Sequence, residues 1–211
     1  MDMMILPKKS LVAFIALLSW IAIIAQFLIS MRDATVSIGD LVVRFFSYFT
    51  ILTNLMVAIC CSSAVLFPQN VIGRFFAKPA VVTAITLYIL IVGLIYNTVL
   101  RYLWQPVGIT RVVDEMLHSI IPILVLIHWW RSLDKAVLQW QSVFSWLLYP
   151  FFYLLYTLWH GSFSGFYPYP FVDVSVLGMN HVLTNSLVVA LVFVFIGLLL
   201  ILINRRLVKN R

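Results

Sequence analysis

The sequence predicts an all-α polytopic membrane protein, a bundle of six transmembrane helices forming a single domain over residues 1–211. Three observations predict it. The chain is 64% hydrophobic and 10% charged, with a mean hydropathy of +1.07, more apolar surface than a water-soluble domain of this size can cover. Six apolar runs approach or exceed the roughly 20 residues a bilayer span requires. The segments joining them are short, so no extramembrane domain is expected. No internal repeat, low-complexity tract or Pro-rich or Ser-rich linker interrupts the pattern.

The spans are expected at about 11–30, 42–67, 80–104, 112–130, 140–160 and 181–204. The first follows Lys8 and Lys9. Its length exceeds a signal-peptide core and no small-x-small cleavage site follows, so it reads as an uncleaved helix. The second carries Ser47, Thr50 and Asn54, separated by three and four residues and so expected on one helical face. Its Cys60 and Cys61 are adjacent, point about 100° apart on a helix and are expected to stay unpaired as small packing residues. The third holds Asn97 and Arg101. The fourth holds Asp114 and Glu115, four and three residues before His118, with Pro122 four residues after it. Proline lacks an N–H and clashes with the carbonyl four residues back, so a bend at His118 with a freed carbonyl is expected. In the fifth, Tyr149, Tyr153, Tyr156 and His160 form a stripe beside Pro150, another expected bend. The sixth opens with His181 and Asn185.

The net charge of +7 does not point to nucleic acid, because the basic residues mark topology. Lys8, Lys9, Arg74, Lys78, Arg131, Lys135, Arg205, Arg206, Lys209 and Arg211 fall in one alternating set of segments. Arg32, Arg44, Arg101 and Arg111 fall in the other. The positive-inside rule then places both termini in the cytoplasm, and a cell membrane of bacterial type is the expected location. Trp104, Trp129, Trp130, Trp140 and Trp159 lie near span ends, as aromatic belts do.

That orientation puts the polar residues at one depth. At 1.5 Å per residue, Thr50 lies roughly 12 Å along the second span, His118 roughly 9 Å along the fourth and Asn97 about 10 Å before the end of the third. His160 ends the fifth span and His181 begins the sixth on the same side. The inner half offers Ser62, Ser63 and His128. Ionisable groups at membrane depth are costly unless they face a cavity or one another, which makes the outer layer the candidate site. Each residue also has a plainer role: Thr packs or bonds its own backbone, Asn joins helices, Arg101 snorkels, and His160 and His181 meet interfacial water. His118 stands apart, since a carboxylate within reach holds an imidazole in the tautomer a general base needs.

Two segments, Tyr48-Phe49-Thr50-Ile51-Leu52-Thr53-Asn54-Leu55 and Leu117-His118-Ser119-Ile120-Ile121-Pro122, resemble motifs of a family of small multi-pass membrane proteins. It comprises the androgen-induced and androgen-dependent vertebrate proteins and six-span bacterial relatives. Trp159-His160 followed by Gly165-Phe166-Tyr167-Pro168-Tyr169-Pro170-Phe171 resembles a third. The vertebrate members are threonine hydrolases of fatty acid esters of hydroxy fatty acids. The resemblance implies Thr50 as nucleophile and His118 as the second essential residue. The histidine motif here is one residue shorter before its proline, and Asp114 and Glu115 stand where an Asn-His pair is often found.

The leading expectation is an intramembrane lipid-ester hydrolase, with a membrane lipid or fatty-acyl ester as substrate and no cofactor. His118, oriented by Asp114 or Glu115, would activate Thr50, and Asn54, Asn97 and Arg101 are candidate oxyanion donors. A rival reading has His118, His160 and His181 with Asp114 binding zinc to activate water. Another is a non-catalytic lipid-binding or transport protein, although inverted halves and paired broken spans are lacking.

Overall fold

The computed structural model describes residues 8–132 and 137–209, and among these every regular element is helical. Lys135 and Arg211 of the charge pattern lie outside them. Six segments are long and apolar enough to cross a membrane: Lys9–Arg32, Phe49–Leu66, Pro79–Tyr102, Gly108–Arg131, Ser142–Ser164 and Met179–Val208. The protein is a polytopic all-α membrane bundle.

The helices are α1 (Lys8–Arg32), α2 (Ile38–Phe46), α3 (Phe49–Leu66), α4 (Val71–Phe76), α5 (Pro79–Thr98), α6 (Gly108–Glu115), α7 (Ile121–Arg131), α8 (Ser142–Trp146), α9 (Leu148–Ser164), α10 (Val174–Leu177) and α11 (Met179–Lys209). A five-residue π turn, Met116–Ile120, joins α6 to α7. Local chemistry sets several boundaries. Ser37 caps α2 by accepting from the Asp40 N–H at 3.1 Å, Asn70 caps α4 through the Gly73 N–H at 2.7 Å, and Pro79 occupies the first turn of α5, where its missing N–H costs nothing. Gly165 ends α9 in the left-handed region, φ 66°.

The expected second span is not one helix. The chain leaves α2 at Ser47, Tyr48 takes extended backbone (φ −80°, ψ 124°), and α3 starts at Phe49. Ser47 therefore does not share a helical face with Thr50 and Asn54, although those two do share one. Thr50 becomes the second residue of a helix instead of a mid-span residue.

α3 and α5 are the centre, with 56% of each span buried against 17% and 22% for the fifth and sixth. α1 packs on α3, α3 on α5, α5 on α7 and α7 back on α1, closing an inner four-helix group. Its core is fully buried hydrocarbon, including Ile15, Val57, Leu87, Ile89 and Ile121. α11 joins through α5, while α9 stands further out and reaches inward with its tyrosines.

Both mid-span prolines free a carbonyl four residues back, and α5 supplies a donor to each. Asn97 Nδ2 bonds the His118 carbonyl at 3.3 Å, and the Tyr88 hydroxyl bonds the Trp146 carbonyl, four residues before Pro150, at 2.9 Å. The expected bend at His118 takes the form of the π turn. Gly93 makes the α5–α7 approach possible, because a Cβ there would lie 3.0 Å from the His118 carbonyl oxygen and 3.3 Å from Pro122 Cβ.

Away from Thr50 and His118 the bundle is also joined by polar contacts. Trp129 donates to Thr83 Oγ1 at 2.9 Å and Trp20 to Ser62 at 3.1 Å. Buried Asn204 accepts from the Leu138 N–H at 2.9 Å. Trp129 is thus a core residue and not part of the belt, whereas Trp104, Trp130, Trp140 and Trp159 are exposed. Cys60 and Cys61 are free thiols.

Gly161 has no room for a side chain, since a Cβ would run into the Tyr167 ring. Gly161→Val should therefore lift the 165–178 connection off α9. The expected cost is about 1–3 kcal/mol, read as a lower thermal midpoint in detergent together with faster proteolysis within that connection.

Candidate active site

The break before α3 leaves the first N–H groups of that helix without intrahelical partners. The Thr50 N–H donates to the Tyr169 hydroxyl at 3.1 Å, and Thr50 Oγ1 lies 3.2 Å from that oxygen. On its other side Thr50 Oγ1 is 3.3 Å from His118 Nε2. The residues singled out as nucleophile and base are brought together across two helices, both largely buried.

His118 is held from three directions. Its Nδ1 lies 2.9 Å from the Asp114 carbonyl oxygen and 3.1 Å from Asp114 Oδ1. Two acceptors at Nδ1 put the proton there and leave the Nε2 lone pair facing Thr50, the arrangement a general base requires. Tyr96 stacks on the imidazole, ring centroids 4.1 Å apart and planes 15° from parallel, and its hydroxyl donates to Asp114 Oδ2. Of the two carboxylates in reach by spacing, Asp114 is the one that takes the ring.

Glu115 turns the other way. Arg101 grips it with two bonds, 2.5 and 2.8 Å, and Ser119 adds a third at 2.8 Å. The Arg101 guanidinium also sits 5.0 Å from the Tyr96 ring centroid and donates to Asn97 Oδ1 at 3.0 Å. Asn97 spends its amide on the Gly93 and His118 carbonyls. Asn54 spends its own on the Thr50 carbonyl at 2.9 Å and the Leu117 carbonyl at 3.3 Å. The Asn54 and Asn97 amide N–H groups and all but one of the Arg101 N–H groups are therefore engaged within the protein, and their work is to hold the helices bearing Thr50 and His118 in register.

His160 and His181 stand outside this arrangement. His160 stacks on Tyr156 at 5.6 Å and bonds Ser164. His181 is exposed, with Nδ1 3.0 Å from the Leu177 carbonyl oxygen. Among the described residues no three His, Cys, Asp or Glu side chains gather as a metal's ligands would, so the expected set of His118, His160, His181 and Asp114 is not assembled.

The tyrosine stripe of α9 fills the break. Tyr153 donates to the Ser47 carbonyl at 2.8 Å, Tyr156 lies 2.8 Å from Ser47 Oγ, and Tyr149 lies 3.2 Å from Thr53 Oγ1. Tyr169 arrives from the connection before α11, stacked on Phe171 with planes 7° apart, while Asn185 anchors that segment by donating to the Phe171 carbonyl at 3.0 Å. Burial pushes the Tyr169 phenol up to about 12, so it keeps its proton and can donate it at any physiological pH.

Thr50 opens onto a cavity of ≈ 260 Å³ bounded by α3, α5, α9, α11 and the segment carrying Tyr169. Its walls are hydrocarbon almost throughout. A donor-bearing hydroxyl pair at one end of an apolar cavity suits an amphiphile with one polar reacting group.

No protein-family model, curated protein or solved structure matches this chain. Tyr96 and Tyr169 were not singled out in the sequence as site residues. Tyr96 precedes Asn97 and carries no periodic signal of its own. Tyr169 lies in the Tyr-Pro-Tyr-Pro segment, which marks a turn without indicating that its ring reaches α3.

Tyr96→Phe removes the donor to Asp114 Oδ2 and keeps the stack on His118. Leaving a buried carboxylate oxygen unpaired should cost about 1–3 kcal/mol, measured as a drop in thermal midpoint. Tyr96→Leu should cost more, because the stacking is lost as well.

Proposed function

We propose that this protein is an intramembrane lipid-ester hydrolase with Thr50 as nucleophile and His118 as general base. The observation that carries the reading is the Thr50 Oγ1 to His118 Nε2 approach of 3.3 Å, with Nδ1 held by Asp114 and Thr50 itself lining an apolar cavity. The motif resemblance points to the same two residues. With the termini cytoplasmic, as the basic residues suggest, the site belongs to the outer leaflet, where a lipid can offer its ester while its chains stay in hydrocarbon.

His118 Nε2 takes the Thr50 proton as Oγ1 attacks the ester carbonyl carbon. The carbonyl oxygen becomes an oxyanion beside the Tyr169 hydroxyl and the N-terminal turn of α3, whose positive dipole end favours negative charge. The tetrahedral species collapses, the bond to the alcohol oxygen breaks, and that oxygen takes the proton from His118. Acyl-Thr50 remains. A water then gives a proton to His118 and adds to the acyl carbon; the acid leaves, and Thr50 Oγ1 recovers the proton.

Asp114 keeps the imidazole in the right tautomer and stabilises its charged form. A passive lipid-binding protein would use the same cavity without needing either reacting group, so dependence of turnover on Thr50 separates the two readings.

Thr50→Ala and His118→Ala should each lower ester cleavage by at least about a hundredfold in purified, folded protein, with Thr50→Ser retaining activity. Full turnover in either alanine variant would end the proposal. A fluorophosphonate should label Thr50 in wild type and not in His118→Ala. Tyr169→Phe should lower kcat by roughly 10²–10³ with little change in KM, assayed on the same ester.

A further inference from the structure

The cavity beyond Thr50 has a direction, a wall and a floor. Along α11 its lining runs from Ser186 through Ala190 to Phe193, and along the fifth span from Leu154 back to Leu147, just before α9. Seven residues of helix on each side make it about 10 Å deep. Asn185 bonds the Phe171 carbonyl and Phe171 stacks on Tyr169, which puts Tyr169 and the Thr50 it touches at the Ser186 end. Phe193, 2% exposed, closes the other, packed edge-on against Phe49 at 6.1 Å and beside Tyr88 at 6.4 Å.

The hydroxyls of Tyr153 and Ser186 along this wall have their hydrogens committed within the protein. Tyr153 is committed to the Ser47 carbonyl and Ser186 to the Val182 carbonyl. A polar ligand would therefore find hydrogen-bond donors only beside Thr50, whereas a hydrocarbon chain needs none. Ala190 is the smallest side chain in the lining, on α11, and Pro150, Phe151 and Leu154 of α9 line the same space.

We infer that this cavity is a binding site for one straight acyl chain of the ester, running from Thr50 toward Phe193, with Ala190 keeping the channel open and Phe193 setting its length. The volume of ≈ 260 Å³ falls just under the roughly 300–1,000 Å³ of pockets that enclose whole drug-sized ligands, so it takes one chain and leaves the alcohol part of the substrate outside. The inference rests on the hydrolase reading for the identity of the reacting end, and on the cavity alone for the chain.

The test compares wild type with Ala190→Phe, which fills the channel from a half-buried wall position. The ratio of p-nitrophenyl octanoate to p-nitrophenyl butyrate turnover should fall about tenfold or more, because the longer chain reaches past position 190 and the shorter one needs less of the channel. In parallel, an octanoate probe with a terminal diazirine, whose chain matches the depth of the channel, is photolysed with Thr50→Ala protein, which cannot turn over an ester. Adducts are expected on Phe193 or Leu147 and should be lost when Ala190→Phe is added. Adducts at those positions with no esterase activity in wild type would sink the hydrolase reading and keep the chain site. Adducts elsewhere, or an octanoate-to-butyrate ratio and labelling unchanged by Ala190→Phe, would overturn the inference.

Discussion

Every helical interruption inside a membrane leaves backbone groups that hydrocarbon cannot satisfy, and this requirement organises the bundle. Three interruptions fall near one another here. The break at Ser47–Tyr48 leaves the Ser47 carbonyl and the Thr50 N–H, and tyrosines from α9 and from the segment before α11 take them. Pro122 leaves the His118 carbonyl, which Asn97 takes. Pro150 leaves the Trp146 carbonyl, which Tyr88 takes. The helices are thus tied at the places where they depart from regularity, and the site forms among those ties.

The same economy explains why so many polar residues surround two reacting groups. Asn54, Asn97, Arg101, Glu115 and Ser119 form a scaffold in which nearly every donor and acceptor is used within the protein. The exception is Asn54 Oδ1, buried without a partner. Arg101 stands above Tyr96, Tyr96 above His118, and Asp114 ties Tyr96 to His118 at their edges. A stack of that kind limits ring rotation and holds Nε2 on Thr50. Preorganisation of this sort matters most in a poorly solvated site, where a misaligned dipole is not corrected by water.

The site was legible in the sequence to the extent that it obeys helical arithmetic. Asp114 and His118 are four residues apart on continuous helix, and that spacing put a carboxylate beside the imidazole. Thr50 and His118 lay at matching depth, because depth follows from rise per residue. Arithmetic could not choose between Asp114 and Glu115, since the choice turns on which faces Tyr96 and which faces Arg101. It also misjudged Ser47, because an apolar run does not reveal that the chain extends at Tyr48 and restarts.

What the sequence by itself determined is the number of spans, their rough limits and the gathering of polar residues toward one end. Those follow from the hydropathy of contiguous residues and a fixed helical rise, both local properties. Tertiary structure alone decided that Thr50 begins a helix, that Tyr96 and Tyr169 complete the site, and that His160 and His181 stay apart from it. These outcomes depend on how each helix is rotated and how far α9 stands from α3, which packing among distant residues sets.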